Sequence, residues 1–113
     1  MPGKFELKQG ASGKFSFNLK SGNGQVVLTS QAYASKASAV AGIESVRNNC
    51  NDEARFERKE ARDGSPFFVL TATNGQTVGK SQMYASAAAL ETGVASVKSN
   101  APAAAVEDMT LER

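Results

Sequence analysis

Apolar and polar residues alternate along the opening of the chain, and a helical spacing follows them. Phe5 and Leu7 alternate with Lys4, Glu6 and Lys8. Side chains two apart share one face of a strand, so residues 4–8 are predicted to form a strand buried on one side. Gly10-Ala11-Ser12-Gly13 reads as a turn. Phe15, Phe17 and Leu19 then alternate with Ser16, Asn18 and Lys20, giving a second strand. Asn23-Gly24 follows as a hairpin signal, because a two-residue type I′ turn needs positive φ at both central positions. Residues 25–29 make the third strand of an antiparallel meander. Ser35 is placed to cap a helix, its hydroxyl accepting from a free N–H of the first turn. Ala39, Gly42, Ile43 and Val46 fall at i, i+3, i+4 and i+7, one face of that helix. Arg47 lies near its negative end, and Asn48-Asn49 ends it.

The same pattern then runs again. Phe5 to Asn49 lies on Phe56 to Asn100 without a gap, and twenty of forty-five positions are identical. Phe5-Glu6-x-Lys8 meets Phe56-Glu57-x-Lys59, and Asn23-Gly24-Gln25 meets Asn74-Gly75-Gln76. Ser30-Gln31-x-Tyr33-Ala34-Ser35 meets Ser81-Gln82-x-Tyr84-Ala85-Ser86, and Gly42, Ser45-Val46 and Asn49 recur as Gly93, Ser96-Val97 and Asn100. The second copy has strands at 54–60, 67–71 and 76–80, and its helix carries the stripe Leu90, Gly93, Val94 and Val97. Pro66 stands where the first copy has Phe15, and having no N–H it marks a strand start or an edge. Gly42 and Gly93 lie in mid-helix, where each costs about 1 kcal/mol relative to alanine. A close backbone approach, helix on sheet or helix on helix, is the expected compensation.

Two copies are too few for a solenoid, and a half of this size is near the limit at which chains fold alone. The expectation is therefore an α+β fold: a tandem pair of β-β-β-α units with antiparallel strands, pseudo-twofold symmetry and one shared core, like a homodimer fused into one chain. It is read as a single domain, 1–113, with repeats at 3–49 and 54–100 and a loose C-terminal tail at 101–113, since Pro102 stops the helix. A chain of 113 residues suits one such domain. Because the two repeats mimic a dimer, a monomer is expected.

Charge changes little. The net charge is +2, with 13 basic and 11 acidic side chains, so the field that would steer a polyanion is weak. There is no apolar run of membrane-spanning length and no signal-peptide pattern at Met1-Pro2-Gly3. Cys50 is the single cysteine, which excludes an internal disulfide and fits a reducing compartment. A cytoplasmic protein with no membrane partner is expected.

These motifs together resemble the YegP-like family of small bacterial proteins. The resemblance rests on Gly3-x-Phe5-Glu6, the Asn-Gly hairpin, the run from Ser30 to the Ser35 cap, and Gly42-Ile43-x-Ser45-Val46. It covers residues 3–100 and matches the duplicated, two-repeat subgroup. It implies an α+β fold of paired strand-strand-strand-helix units, with single-repeat relatives pairing as dimers. It implies no activity, cofactor or catalytic residue.

Histidine is absent, which removes Ser–His and Cys–His dyads and imidazole metal sites. No cofactor, metal site or catalytic set is expected. Cys50 matches Ala101 in the other copy and reads as a free thiol. Glu6 and Glu57 each have a lysine two residues on and read as solvated ion pairs. Ser35 and Ser86 read as caps rather than anion sites. Tyr33 and Tyr84, with Gln31 and Gln82, recur just before the helices and are the candidate binding residues, lining a cleft between the halves. The leading function is thus a non-enzymatic binding or interaction module. Two alternatives remain at this stage: weak nucleic-acid binding through Lys/Arg and an exposed Phe67, and an enzyme using Glu, Lys or Tyr in the cleft between repeats.

Overall fold

The computed structural model describes residues 3–110. Its strands and helices are β1 (Lys4–Gln9), β2 (Phe15–Lys20), β3 (Val26–Thr29), α1 (Lys36–Asn49), β4 (Phe56–Glu60), β5 (Pro66–Thr71), β6 (Thr77–Lys80), α2 (Ala87–Asn100) and β7 (Ala105–Asp108). Short 3-10 turns, Glu53–Arg55 and Ala101–Ala103, precede β4 and β7.

The meanders close on glycine, though not through type I′ turns. Gly24 has φ 89° and Gly75 φ 87°, while neither asparagine before them has positive φ. The Gly24 N–H donates to the Ser21 carbonyl at 2.9 Å, and the Ser21 N–H to the Gln25 carbonyl at 2.8 Å. This is a longer turn ending in a left-handed glycine, the bulge form of hairpin. The asparagine takes a different part. Its Oδ1 accepts from the Gln25 N–H at 3.1 Å in one half and from the Gln76 N–H at 2.9 Å in the other. Such self-bonding within a turn is what short polar side chains do well.

Seven strands form one sheet in the order β4-β5-β6-β3-β2-β1-β7. The two meanders meet at its centre, where β3 and β6 pair antiparallel through Thr29 and Lys80. Those two residues occupy the same position in the two repeats, so the pseudo-twofold axis passes between them. Register carries Phe5, Leu19 and Leu28 to one face of the sheet, together with Phe56 and Leu70. Both helices cover that face. Ser35 and Ser86 cap them as expected, accepting from the Ser38 and Ala89 N–H groups at 3.1 Å.

The core is common to both halves. α1 packs on β2 of its own repeat and on β5 and β6 of the other, while α2 packs on β5 and on β3. Phe5, Phe17, Leu28, Ile43, Phe68 and Leu70 are all fully buried in the same cluster. Each such side chain contributes about 1.5–3 kcal/mol by leaving water. Neither half keeps its apolar surface to itself, and the α+β pseudo-dimer with one shared core is the observed fold.

The expected loose tail is corrected. Residues 105–108 pair parallel with β1, Phe5 opposite Val106 and Leu7 opposite Asp108. Arg47 Nη2 donates to the Ala104 carbonyl at 2.5 Å, Lys4 pairs with Glu107 at 2.8 Å, and Lys36 pairs with Asp108. Basic side chains from the first repeat thus hold an acidic strand whose own sequence is weakly apolar. The last three residues of the predicted tail, 111–113, lie outside the described residues. Among the described residues, no helix is long and apolar enough to cross a membrane.

Candidate functional site

The segments before the helices place the tyrosines. Phe5 meets Phe17 edge-on at 5.8 Å, and Tyr33 stacks flat on Phe17 at 6.3 Å and 9°. The second half repeats the arrangement: Phe56 meets Phe68 at 5.8 Å, and Tyr84 stacks on Phe68 at 6.2 Å and 9°. Each tyrosine hydroxyl then reaches the mid-helix glycine. A Cβ on Gly42 would lie 2.5 Å from Tyr33 Oη and 2.9 Å from its Cζ, and one on Gly93 would strike Tyr84 Oη. The close approach expected at these glycines is therefore made by a tyrosine side chain, not by backbone.

The four candidate residues do not share one cleft. Gln31 and Tyr33 line a recess closed by the opposite repeat's hairpin at Asn74 and Gln76. Gln82 and Tyr84 line a second recess, closed by the first repeat's hairpin at Asn23 and Gln25. The two recesses are related by the pseudo-twofold axis, and each needs both halves. Gln31 and Gln82 come together across a separate cavity of about 370 Å³ at the β3–β6 seam.

The recesses are unequal. The Tyr84 recess is one continuous cavity of about 420 Å³ running from Tyr84 to Asn100. On the Tyr33 side the same ground is divided into an inner pocket of about 200 Å³ and an outer groove of about 640 Å³ that carries Glu44. The backbone tie of the two tyrosine segments differs as well. In the first half Phe15 and Tyr33 exchange two backbone hydrogen bonds, at 2.8 and 2.6 Å. In the second, Tyr84 N–H donates to Pro66 at 2.8 Å, but Pro66 has no N–H to return. The Tyr84 segment is tied to the sheet by half as many bonds.

Polar chemistry differs in the same sense. Burial raises the pKa of both phenols. The Gln31 side chain beside Tyr33 offsets part of its rise. Tyr84 Oη is buried and has no hydrogen-bond partner among the described residues. Both phenols are held protonated at neutral pH, as donors rather than bases. Ser96 and Asn100 complete the recess wall, with Asn100 Nδ2 donating to the Ser96 carbonyl at 2.8 Å. Asn49 makes the matching bond to Ser45 at 2.7 Å. These helix residues, and the hairpin Asn-Gln pairs, were missed as site residues. Their signal was present: polar residues identical in both copies, at i+3 and i+7 from the mid-helix glycine, beside the apolar stripe.

The other candidates have structural roles. Glu6 is not solvated: its side chain is 7% exposed, with Lys20 at 3.1 Å, Lys8 at 3.8 Å and Lys4 at 3.9 Å. Glu57 is 55% exposed with Lys59 alone at 3.6 Å. The contrast has two causes: Thr71 stands where the first half has Lys20, and β4 is an edge strand while β1 is covered by β7. Cys50 is buried, and burial raises its thiol pKa, the reverse of an activated nucleophile. Phe67 is half-buried beneath Lys80, whose Nζ lies 5.0 Å from the ring centroid, so the ring is no free stacking platform. Among the described residues no group of three or more Cys, Asp or Glu is placed to hold a metal ion.

Fold and recesses together define a duplicated β-β-β-α protein with internal twofold symmetry, in which each recess is built by both repeats. The family model described as "Domain of unknown function (DUF1508)" matches residues 11–57 and 61–108, and the chain belongs to that family. A UPF0339 protein of Bordetella pertussis is 55% identical over 111 residues, covering 97% of this chain and 98% of the relative. The UPF0339 protein YegP of Escherichia coli K12 is 50% identical over 110 residues, covering 97% of this chain and 100% of YegP. The solution NMR structure of YegP from E. coli, described as a protein of unknown function, superposes with a TM-score of 0.93 at 49% identity, over 100% of this chain and 97% of that one. The NMR structure of a UPF0339 protein from Shewanella oneidensis gives 0.94 at 44% identity, over 100% and 96%. The YegP-like resemblance carried by the repeats is thus established.

Proposed function

We propose that this protein is a non-enzymatic binding module whose ligand sites are the recesses between its repeats. The observation that carries the reading is the recurrence of one side-chain set, Tyr, Gln, Gly, Ser and Asn, at both recesses. Beside this set the apolar stripe of the helices has changed between the copies, Ala39 against Leu90 and Ile43 against Val94. The protonated phenols favour binding over acid–base chemistry. A single chain builds both recesses, so no second copy is needed to complete a site.

The test is a fragment screen on the folded, isotope-labelled chain, using charged and uncharged probes and reading backbone amide shifts. Saturable shifts clustered at residues 21–25, 82–84 and 92–100, or at their symmetry mates, are expected. A library of both classes that moves neither recess would reject the module.

A further inference from the structure

The recesses have a property that follows from chemistry rather than shape. The chain carries 13 basic and 11 acidic residues, yet among the described residues none of those lining the Tyr84 cavity is charged. Its polar walls are hydroxyls and amides, among them Ser21, Asn23, Gln25, Thr92 and Ser99, with Val27 as an apolar patch. Lysine and arginine only donate, and carboxylates only accept. Hydroxyls and carboxamides do both. A wall of such groups is matched by a molecule whose own groups also donate and accept and which carries no charge to desolvate. Phosphates, nucleotides and amino acids do not meet that condition.

Three observations select the Tyr84 side. Its volume, about 420 Å³, lies within the range of small-molecule sites, about 300–1,000 Å³, whereas the inner Tyr33 pocket at about 200 Å³ lies below it and the outer groove on that side, about 640 Å³, carries the charge of Glu44. The Tyr84 hydroxyl is buried with no partner, and such groups in native proteins call for an explanation. Pro66 leaves the Tyr84 segment with a single backbone tie, so the wall can adjust on binding. We propose that the Tyr84 recess binds an uncharged polyhydroxylated small molecule, of the sugar or sugar-alcohol class, one of whose oxygens accepts from Tyr84 Oη once the singly tied segment shifts to uncover that buried atom. This rests on the binding-module reading above and adds the ligand class and the choice between the two recesses.

The test titrates the full chain with trehalose, sorbitol and glucose 6-phosphate, read by amide shifts. The expected result is saturable movement at 21–25 and 92–100 with a neutral probe. Tyr84→Phe should weaken it about tenfold, the worth of one hydrogen bond. Thr92→Val should weaken it as well, and Glu57→Gln, on the exposed edge strand β4 away from both recesses, should leave it unchanged. Glucose 6-phosphate binding as well as the neutral probes would overturn the ligand class while leaving the module intact. Movement on the Tyr33 side instead would overturn the choice of recess. Silence from the neutral probes, with charged fragments of the wider screen still binding, would again overturn the class alone; silence from every probe would remove both readings.

Discussion

Glycine and tyrosine act as a pair in each half. An alanine normally stabilises a helix interior by about 1 kcal/mol over glycine. Here the added methyl would lie 3.0 Å from Phe17 Cε2 as well as against Tyr33, with the same crowding at Gly93. Overpacking of this kind costs about 1–3 kcal/mol and outweighs the propensity gain. Gly93→Ala should therefore lower the midpoint of urea unfolding, and in a Tyr84→Ala background the same change should raise it. A lowered midpoint in both backgrounds would show that the ring is not the cause. Tyr84→Phe probes the hydroxyl alone. Because that group is buried without a partner, its removal should leave the unliganded protein as stable or more stable by about 1 kcal/mol. Loss of more than that would reveal a bond the structure does not contain. At this scale the sequence was half legible. Two glycines kept in mid-helix announced that something lies close to them. The tyrosine ring could not be identified from spacing, because it arrives from nine residues upstream across an irregular segment.

β7 is the element most dependent on charge. It follows α2 through a 3-10 turn, as β4 follows α1, but it turns to the opposite edge of the sheet and runs parallel to β1. Its attachments are Lys36 to Asp108 and Lys4 to Glu107. Hydrogen bonding to Lys36 and Thr110 lowers Asp108 from its ordinary 3.8 to about 2, and Lys4 lowers Glu107 below its ordinary 4.5. Carboxylates with depressed folded values stabilise fully above their unfolded values and lose that contribution as pH falls through the folded ones. Acidification from pH 4.5 toward 2 should therefore loosen β7 before the core. Amide exchange should rise at 105–109 while the exchange of 17–19 stays slow. Asp108→Asn should loosen β7 already at neutral pH and flatten that dependence. If the strand stays protected throughout, backbone pairing and not the ion pairs holds it. The sequence concealed β7 for a physical reason: Ala-Val-Glu-Asp lacks apolar alternation, and its docking depends on lysines far along the chain. The hairpin positions, by contrast, were legible, since Asn-Gly fixes where a chain reverses. The turn type was not, because the same pair serves both the I′ and the bulged form.

Symmetry organises the whole molecule, and it has been broken at its centre. Leu28 and Gly79 occupy equivalent places in the two repeats, beside the axis where β3 meets β6. A Cβ on Gly79 would lie 2.6 Å from Leu28 Cδ2, so one leucine fills the space of two positions. The duplication could be read from sequence, and so could the need for a shared core. That the halves are no longer interchangeable could not, because Leu against Gly looks like drift until the axis is located. The consequence is testable with single repeats. A homodimer of residues 1–50 would bring two leucines into a space that holds one. A homodimer of the second repeat would place two glycines there and leave a void, at about 24 cal/mol per Å³ of cavity. Neither repeat alone should form the stable pair that the fused chain forms. In the intact chain Gly79→Leu and Leu28→Gly should each destabilise, by about 1–3 kcal/mol for overpacking and about 3–5 kcal/mol for the lost side chain and cavity. The double variant should recover part of that loss, because it restores one leucine and one glycine across the axis. Additive losses in the double variant would mean that the two positions do not share a space, and a well-folded dimer of the first repeat would mean that the axis still tolerates a pair of leucines.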